Sequence, residues 1–423
     1  MTAPAITRGL SPIRTMFRNG TVVLAEQIGD MPAVAINATF LAGSINDPDR
    51  LPGAAYLARR TIDRGTANRT AGEIAETLDD RGVSLRVSVT RHTFSLSCVC
   101  LAEDFSDILE LLADVVRQPS FPSSEIDKRR VEAITSVRED QDDPSKVAVD
   151  LLFEALYGPG HPYGRTIKGS EASLETIQRA DVVRFHQRFI VPSALRLAVA
   201  GDIPEAFILS EAAAAFEGWH GLLSPHVAVP PPPQRRRRAV HVKSMPGKSQ
   251  ADIAYGFTTI RRPDPRYYAY LLMNNVLGQF GLGGRLADNI RERQGMAYYA
   301  DSTLDPTVGE GPLVIRAGVD PANVQRTIDA IDAELALLRD QGPAPEELEE
   351  SRQSIIGSIP RMLETTEGVA ELLLHIEQFG LGLDYDRRLP GLLREVTMHD
   401  VRAAARAVLD PDRAAIAVAG PPA

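Results

Sequence analysis

Three residue groups in this 423-residue chain have side chains or backbones suited to metal, thiol or phosphate chemistry: eight histidines, two cysteines and a glycine cluster. The histidines are His92, His161, His186, His220, His226, His241, His375 and His399. No two are separated by three to five residues, the spacing that sets two imidazoles on one helix face around a shared metal. His161, in GHPYGR, reads as structural. Cys98 and Cys100 lie in the alternating run FSLSCVCL, which points both to one face of a strand. Lacking a second pair at finger spacing, they read as small residues of a buried face. Gly278, Gly281, Gly283 and Gly284 lack the Lys-Ser/Thr pair of a phosphate-binding loop and read as a turn before a helix. Arg235 to Arg238 form the main basic run. In a chain of net charge −10 they read as the solvated end of a linker, not a nucleic-acid or targeting patch.

The elements that must position any site are announced by an internal repeat. DVVRFHQRFIVPSALRLAVAG, Asp181 to Gly201, aligns without a gap on DVRAAARAVLDPDRAAIAVAG, Asp400 to Gly420, with seven of 21 positions identical. Both read as amphipathic helix, proline turn, buried strand. The stretches from Asp107 and from Ile328 match in the same way, each a helix, a proline-bearing break and a longer helix. The chain therefore reads as two copies of one α/β unit, 1–225 and 239–423. They are joined by a Pro/Arg-rich linker, 226–238, in which Pro230 to Pro233 make a stiff spacer.

Each copy opens with strands and continues with helices. In the first, TVVLAEQ and AVAINATFLAG precede helices near 53–65 and 70–81 and two strands ending at Cys100. In the second, AVHVKS and ADIAYGFTT precede helices near 264–280 and 284–293, then strands near 298–303 and 311–318. This order predicts an α+β fold: two homologous sandwich domains, each a mainly antiparallel sheet covered by helices. The opening segment MTAPAITRGLSPIRTMF has no apolar signal core, and no stretch approaches the length of a membrane span, so the expectation is a cytoplasmic protein without nucleic-acid or membrane partners.

Four segments in their order and spacing carry a resemblance over nearly the whole length. They are GAAYLARRTIDRGT from Gly53, RTAGEIAETLDDRGVSL from Arg69, GHPYGRTIKGS from Gly160 and GGRLADNIRERQGMAYYADS from Gly283. Together they resemble the pitrilysin (insulinase) family of metallopeptidases, in its mitochondrial-processing-peptidase-like bacterial branch. Active members of that family carry an inverted motif, His-x-x-Glu-His, in which two histidines bind zinc and the glutamate takes a proton from the metal-bound water. The resemblance places those positions at Tyr56, Arg59 and Arg60, and a third ligand, a glutamate, at Ser136. An arginine has no free lone pair and stays cationic, so Arg60 cannot ligate zinc and Arg59 cannot act as the base. Tyr56 and Ser136 are poor ligands beside two positive charges. Active relatives also have Gly-Gly-x-x-Asn-Ala before a strand that pairs with substrate; here the counterparts are Gly82, Val83, Arg86 and Val87.

The resemblance implies retention elsewhere. Arg285 and Tyr298 fall on an arginine and a tyrosine that family members direct at the substrate carbonyl, an oxygen that gains negative charge during attack by water. From the residues alone Arg285 reads more readily as a cap or ion pair, and Tyr298 as a strand aromatic; the resemblance is what favours their functional role. The implied protein is the zinc-less, non-catalytic subunit of a heterodimeric zinc metallopeptidase. It would hold no metal itself, supply the Arg/Tyr pair and half of a peptide chamber, and pair with a homologous zinc-binding subunit. A structural or assembly subunit, or a homodimeric peptide-binding module, is the alternative.

Overall fold

The computed structural model describes residues 9–29, 32–221, 228–279 and 284–421. The first half begins with β1 (Ile13–Met16), β2 (Val22–Gln27) and β3 (Ala33–Phe40), followed by α1 (Ala54–Thr61), α2 (Ala71–Asp79), β4 (Arg86–Val89) and β5 (Phe94–Leu101). Five helices follow: α3 (Phe105–Arg117), α4 (Ser123–Asp142), α5 (Pro144–Tyr157), α6 (Glu171–Thr176) and α7 (Arg179–Phe189). The chain returns to the sheet as β6 (Leu195–Gly201) and leaves through α8 (Glu205–Phe216). The second half runs β7 (Ala239–Ser244), β8 (Ala251–Thr258), α9 (Tyr267–Asn274), two π-helical stretches at Asn275–Gln279 and Ala287–Arg293, then β9 (Ala297–Leu304) and β10 (Pro312–Val319). It continues through α10 (Val324–Gln341), α11 (Pro345–Leu363), α12 (Thr366–Phe379), α13 (Tyr385–Glu395) and α14 (Met398–Val408) to β11 (Ala415–Gly420).

The strand orders are β1-β2-β6-β3-β5-β4 and β7-β11-β8-β10-β9. In both sheets the late strand slots in beside the half's early strands, parallel to one neighbour (β2 or β7) and antiparallel to the other (β3 or β8). The predicted fold class is thus the observed one, two repeated sandwiches with mainly antiparallel sheets.

The seven identities of the repeat each have a structural cause. Asp181 and Asp400 close capping boxes, accepting from the backbone N–H of Gln178 and of Thr397 at 2.9 Å. Val182 and Val401 are fully buried. Pro192 and Pro411 begin 3₁₀ turns, where a missing N–H costs nothing. The AVAG runs are buried strand, and a Cβ on their last glycines would sit 2.5 Å from the Ala33 carbonyl oxygen or 2.7 Å from Ala251 Cα.

One feature is not written in the repeat. Each sheet is covered on one face by helices of its own half and on the other by a helix of the opposite half. Leu372, Leu373 and Ile376 of α12 pack on Val22, Leu24, Ala35, Ala198 and Ala200 of the first sheet. Leu152 and Leu156 of α5 pack on Ala254, Val314, Ala415 and Ala417 of the second. This is why β2, β6, β8 and β11 are buried at nearly every position instead of alternating. The break that sends α5 across is Asp143-Pro144: Asp143 caps the new helix through the Ser145 N–H at 2.9 Å, and the proline takes its first position.

The linker is more firmly held than its composition implies. Arg238 pairs with Asp332 at 2.6 Å and Arg235 donates to the Ala155 carbonyl, so the reading of a solvated end holds only for Arg236 and Arg237, which are exposed. His161 anchors the same segment, with Nε2 2.9 Å from the Pro230 carbonyl and Nδ1 accepting from the Tyr163 N–H. Cys98 and Cys100 do share a buried face, and burial pushes both thiols up to about 12, which leaves them inert. Gly281 and Gly283 lie outside the described residues, but Gly278 and Gly284 approach so closely that a Cβ on Gly284 would meet Gly278 Cα at 2.8 Å.

Because the halves share two cores, Leu152→Ala is expected to cost about 2–5 kcal/mol. The single tryptophan, Trp219, lies in the first half's core, separate from the core that Leu152 joins. In urea titrations its fluorescence and far-UV circular dichroism should shift to the same lower midpoint. Separate midpoints would mean that the halves unfold independently.

Candidate functional site

The site predicted to have lost its metal is built on α1. The Asp47 carboxylate reaches across the turn and accepts from the Gly53 N–H at 2.7 Å and the Ala55 N–H at 2.8 Å, which satisfies two orphan donors of the helix. Gly53 itself has φ +98°, and a Cβ there would stand 2.6 Å from the Lys168 carbonyl oxygen. Ala54, Ala55, Leu57 and Ala58 are buried, which fixes the rotation of the helix and turns Arg59 and Arg60 toward β4 and α4.

The structure brings Tyr56, Arg59 and Arg60 together as the helical spacing requires. Both guanidinium carbons lie over the Tyr56 ring, 5.5 Å and 5.7 Å from its centre. Arg60 donates to the Tyr56 hydroxyl at 3.2 Å and to Glu132 of α4 at 2.8 Å. Glu132 also accepts from Arg129 with both oxygens. Arg59 donates through Nε to the Val87 carbonyl of β4 at 2.9 Å. On α4, one turn beyond Glu132, the Ser136 hydroxyl is bonded to Lys168 Nζ at 2.9 Å, and that amine also pairs with Asp140 at 2.5 Å.

This donor set does not fit zinc. The Tyr56 and Ser136 oxygens already face cationic donors, and the two remaining positions hold guanidinium groups with no lone pair to give. Among the described residues, no group of three or more His, Cys, Asp or Glu side chains is arranged to hold a metal ion.

Arg285 and Tyr298 sit on the second half. Arg285 grips Glu347 with two parallel bonds, Nε to Oε1 at 2.7 Å and Nη2 to Oε2 at 2.6 Å, and Nη2 also reaches the Gly342 carbonyl at 3.2 Å. Glu347 in turn accepts the Ala344 N–H at the start of α11. Burial works against its charge, yet these donors hold the Glu347 carboxyl below its usual pKa. Arg285 Nη1 is buried and has no hydrogen-bond partner among the described residues. Tyr298, on the edge strand β9, is 74% exposed.

Two models of one peptidase family match this chain in succession, Insulinase (Peptidase family M16) over residues 22–170 and Peptidase M16 inactive domain over residues 176–355. The chain belongs to the M16 peptidase family. Among its M16 relatives, the uncharacterized zinc protease YmxG of Bacillus subtilis is 26% identical over 367 residues, 85% of this chain and 88% of that protein. An uncharacterized zinc protease of Mycobacterium tuberculosis is 26% identical over 97% of this chain and 94% of its own. Bovine mitochondrial cytochrome b-c1 complex subunit 1 is 26% identical over 48% of this chain and 42% of its own. A solved peptidase M16 inactive domain from Pseudomonas fluorescens shares the fold with a TM-score of 0.90 over 98% of both chains, at 24% identity. A Helicobacter pylori protease superposes with a TM-score of 0.88 over 97% of this chain and 100% of that one, at 18% identity.

Several residues that organise this M16 site were not singled out by sequence reasoning. Glu132, held by Arg129, pairs with Arg60, Lys168 bonds Ser136, and Asp47 caps α1. Arg129 and Glu132 are three apart on one helix, a pairing signal that the sequence does contain. Asp47 and Lys168 reach α1 and α4 from loops, and nothing local in sequence announces them.

Burial raises the Asp47 pKa to about 7 from 3.8, against the pull of its two backbone donors and of Arg165. A carboxyl whose folded-state pKa is raised favours folding while protonated: that contribution is complete below 3.8 and is lost as pH rises through about 7. Asp47→Asn removes this slope. The variant should therefore lose more stability at pH 5 than at pH 8, by a difference on the order of 2 kcal/mol. Urea midpoints of both proteins at the two pH values measure it, and parallel pH profiles would refute the assignment.

Proposed function

We propose that this chain is the non-catalytic subunit of a two-subunit zinc metallopeptidase acting in the cytoplasm on peptides. Its homologous partner carries His-x-x-Glu-His and supplies the metal-bound nucleophile and the base. This subunit supplies a chamber wall and the Arg285–Tyr298 donor pair. The observation that carries the reading is an asymmetry. The metal face of α1 is occupied by Arg59 and Arg60, whereas Arg285 keeps Nη1 buried with no hydrogen-bond partner among the described residues, oriented by Glu347. A guanidinium clamped through Nε and Nη2 holds its last two N–H bonds in a fixed direction, and because Nη1 is closed to solvent, a substrate oxygen must displace the residues around it to be reached. Tyr298 is exposed and available to a partner-bound substrate.

A second reading is favoured by the similarity to bovine cytochrome b-c1 complex subunit 1. It makes the chain an assembly subunit, in which the Arg285–Glu347 pair only fastens α11.

Mixing separates the two. The chain alone should cleave no peptide, and addition of a zinc-binding M16 homologue should give chelator-sensitive turnover. In that mixture Arg285→Ala should lower turnover about 10²-fold or more, as loss of an oxyanion donor does. Tyr298→Phe, which removes one exposed hydroxyl and leaves the fold alone, should lower it too. Unchanged turnover in both variants, or chelator-sensitive peptidase activity from the purified chain by itself, would defeat the proposal.

A further inference from the structure

Between α1 and the outermost strand of the first sheet lies a pocket of about 500 Å³ lined by Arg59, Arg60, Arg64, Arg86 and Arg129, with Asp63 as the carboxylate among its lining residues. The neighbouring acids do not neutralise it. Glu132 is shared by Arg60 and Arg129, Glu125 stands 3.6 Å from Arg129, and Asp63 lies 3.2 Å from Arg64. Five guanidinium groups thus meet three carboxylates, an excess of two positive charges in a chain of net charge −10. Arg86 is exposed at the start of β4, and among the described residues Arg59 hydrogen-bonds through Nε alone, to the Val87 carbonyl.

That bond sets the chemistry of the edge. In an extended strand the N–H and C=O of one residue face the same side, so the Val87 N–H also looks out from β4. With the carbonyl taken by Arg59, the edge and the pocket together offer donors, and a carboxylate is an acceptor-only group suited to them. A second pocket of about 460 Å³ shares Ser84 and Arg86 with it and extends across the sheet to Asn37, Ser97, Glu367 and Glu371. A lone anion fills the first space only. An occupant of both must be extended and cross the strands at the Arg86, Ser97 and Asn37 row, and the exposed Glu367 and Glu371, one turn apart on α12, repel a second anion at the far end.

We infer that the arginine pocket beside α1 binds the acidic side chain of an extended peptide. The peptide continues over Ser84 and Arg86 and places a neutral or basic residue near Glu367 and Glu371. The inference deepens the chamber-wall reading and rests on it for its place in the assembled enzyme, while the binding itself belongs to this chain alone.

Fluorescence anisotropy with the purified full chain tests it directly. A labelled, end-blocked extended peptide with one Glu should bind at least about tenfold more tightly than the same peptide with Gln, and raising salt from about 0.1 to about 0.5 M should weaken only the Glu peptide. Arg86→Gln should cut the preference about tenfold, because Arg86 is exposed and its loss leaves the fold intact. Equal binding of the Glu and Gln peptides, or an unaltered preference in Arg86→Gln, overturns the inference. Displacement by succinate as readily as by unlabelled peptide overturns the peptide part and makes the pocket a site for small carboxylates. A peptide with Gln and a free C-terminus shows whether a terminal carboxylate serves; preference for it over Glu overturns the side-chain assignment. Failure here alongside intact turnover in the reconstituted pair removes the pocket's role only, and peptide preference without turnover removes the subunit role only.

Discussion

The structure depends on an exchange of helices. Each sheet would expose an apolar face if its half stood alone, and each is completed by a helix that leaves the opposite half. Leu373 and Ile376 of α12 and Leu152 and Leu156 of α5 are buried against strands not their own. Fully burying a side chain of this size contributes about 1.5–3 kcal/mol, so the exchanged contacts form a substantial part of the stability of a fold whose net margin is small. The geometry of every site discussed here is set by that frame. β4 and β9 are left as free edges, while β2, β6, β8 and β11 are locked between two layers.

Within the frame, charge decides what the first half does. Helix α1 is capped by Asp47 and packed through Ala54, Ala55, Leu57 and Ala58, which leaves its arginines facing β4 and α4. Two guanidinium groups stack over Tyr56, reach Glu132 and Val87, and are joined in the pocket by Arg64, Arg86 and Arg129. This helix face borders a site with excess positive charge. In the second half of this M16 chain, Glu347 orients Arg285, as Glu132 holds Arg60 in the first.

Much of this was legible in the sequence because it is local. The repeat from Asp181 and Asp400 encodes caps, a proline turn and a buried strand, each readable within a few residues. The i, i+3, i+4 spacing of Tyr56, Arg59 and Arg60 predicts their common face, and the structure stacks them accordingly. The illegible part is non-local. Nothing in DDPSKVAVDLLFEALY states that its apolar side will cover the other half's sheet, because a helix pattern shows which face is buried and not against what. The same holds for Asp47 and Lys168, which act on α1 and α4 from loops. β1 was not anticipated because a four-residue, largely exposed strand at a sheet edge has no periodic signature. The arginine run was read as solvated because its docking partners, Ala155 and Asp332, are distant in sequence.

The exchanged helices also bear on how such a chain could have arisen. A half-length ancestor with this strand order would have had one uncovered sheet face and one helix with nowhere to pack. Two copies placed face to face answer both needs at once, by symmetry. Tandem duplication would then have turned an association limited by concentration into one limited only by a tether, here the proline stretch from Pro230 to Pro233. Once the copies were fused, their surfaces no longer had to be identical. One copy could gather arginines beside α1 with no matching change in the other, a divergence closed to a protein that must be its own partner.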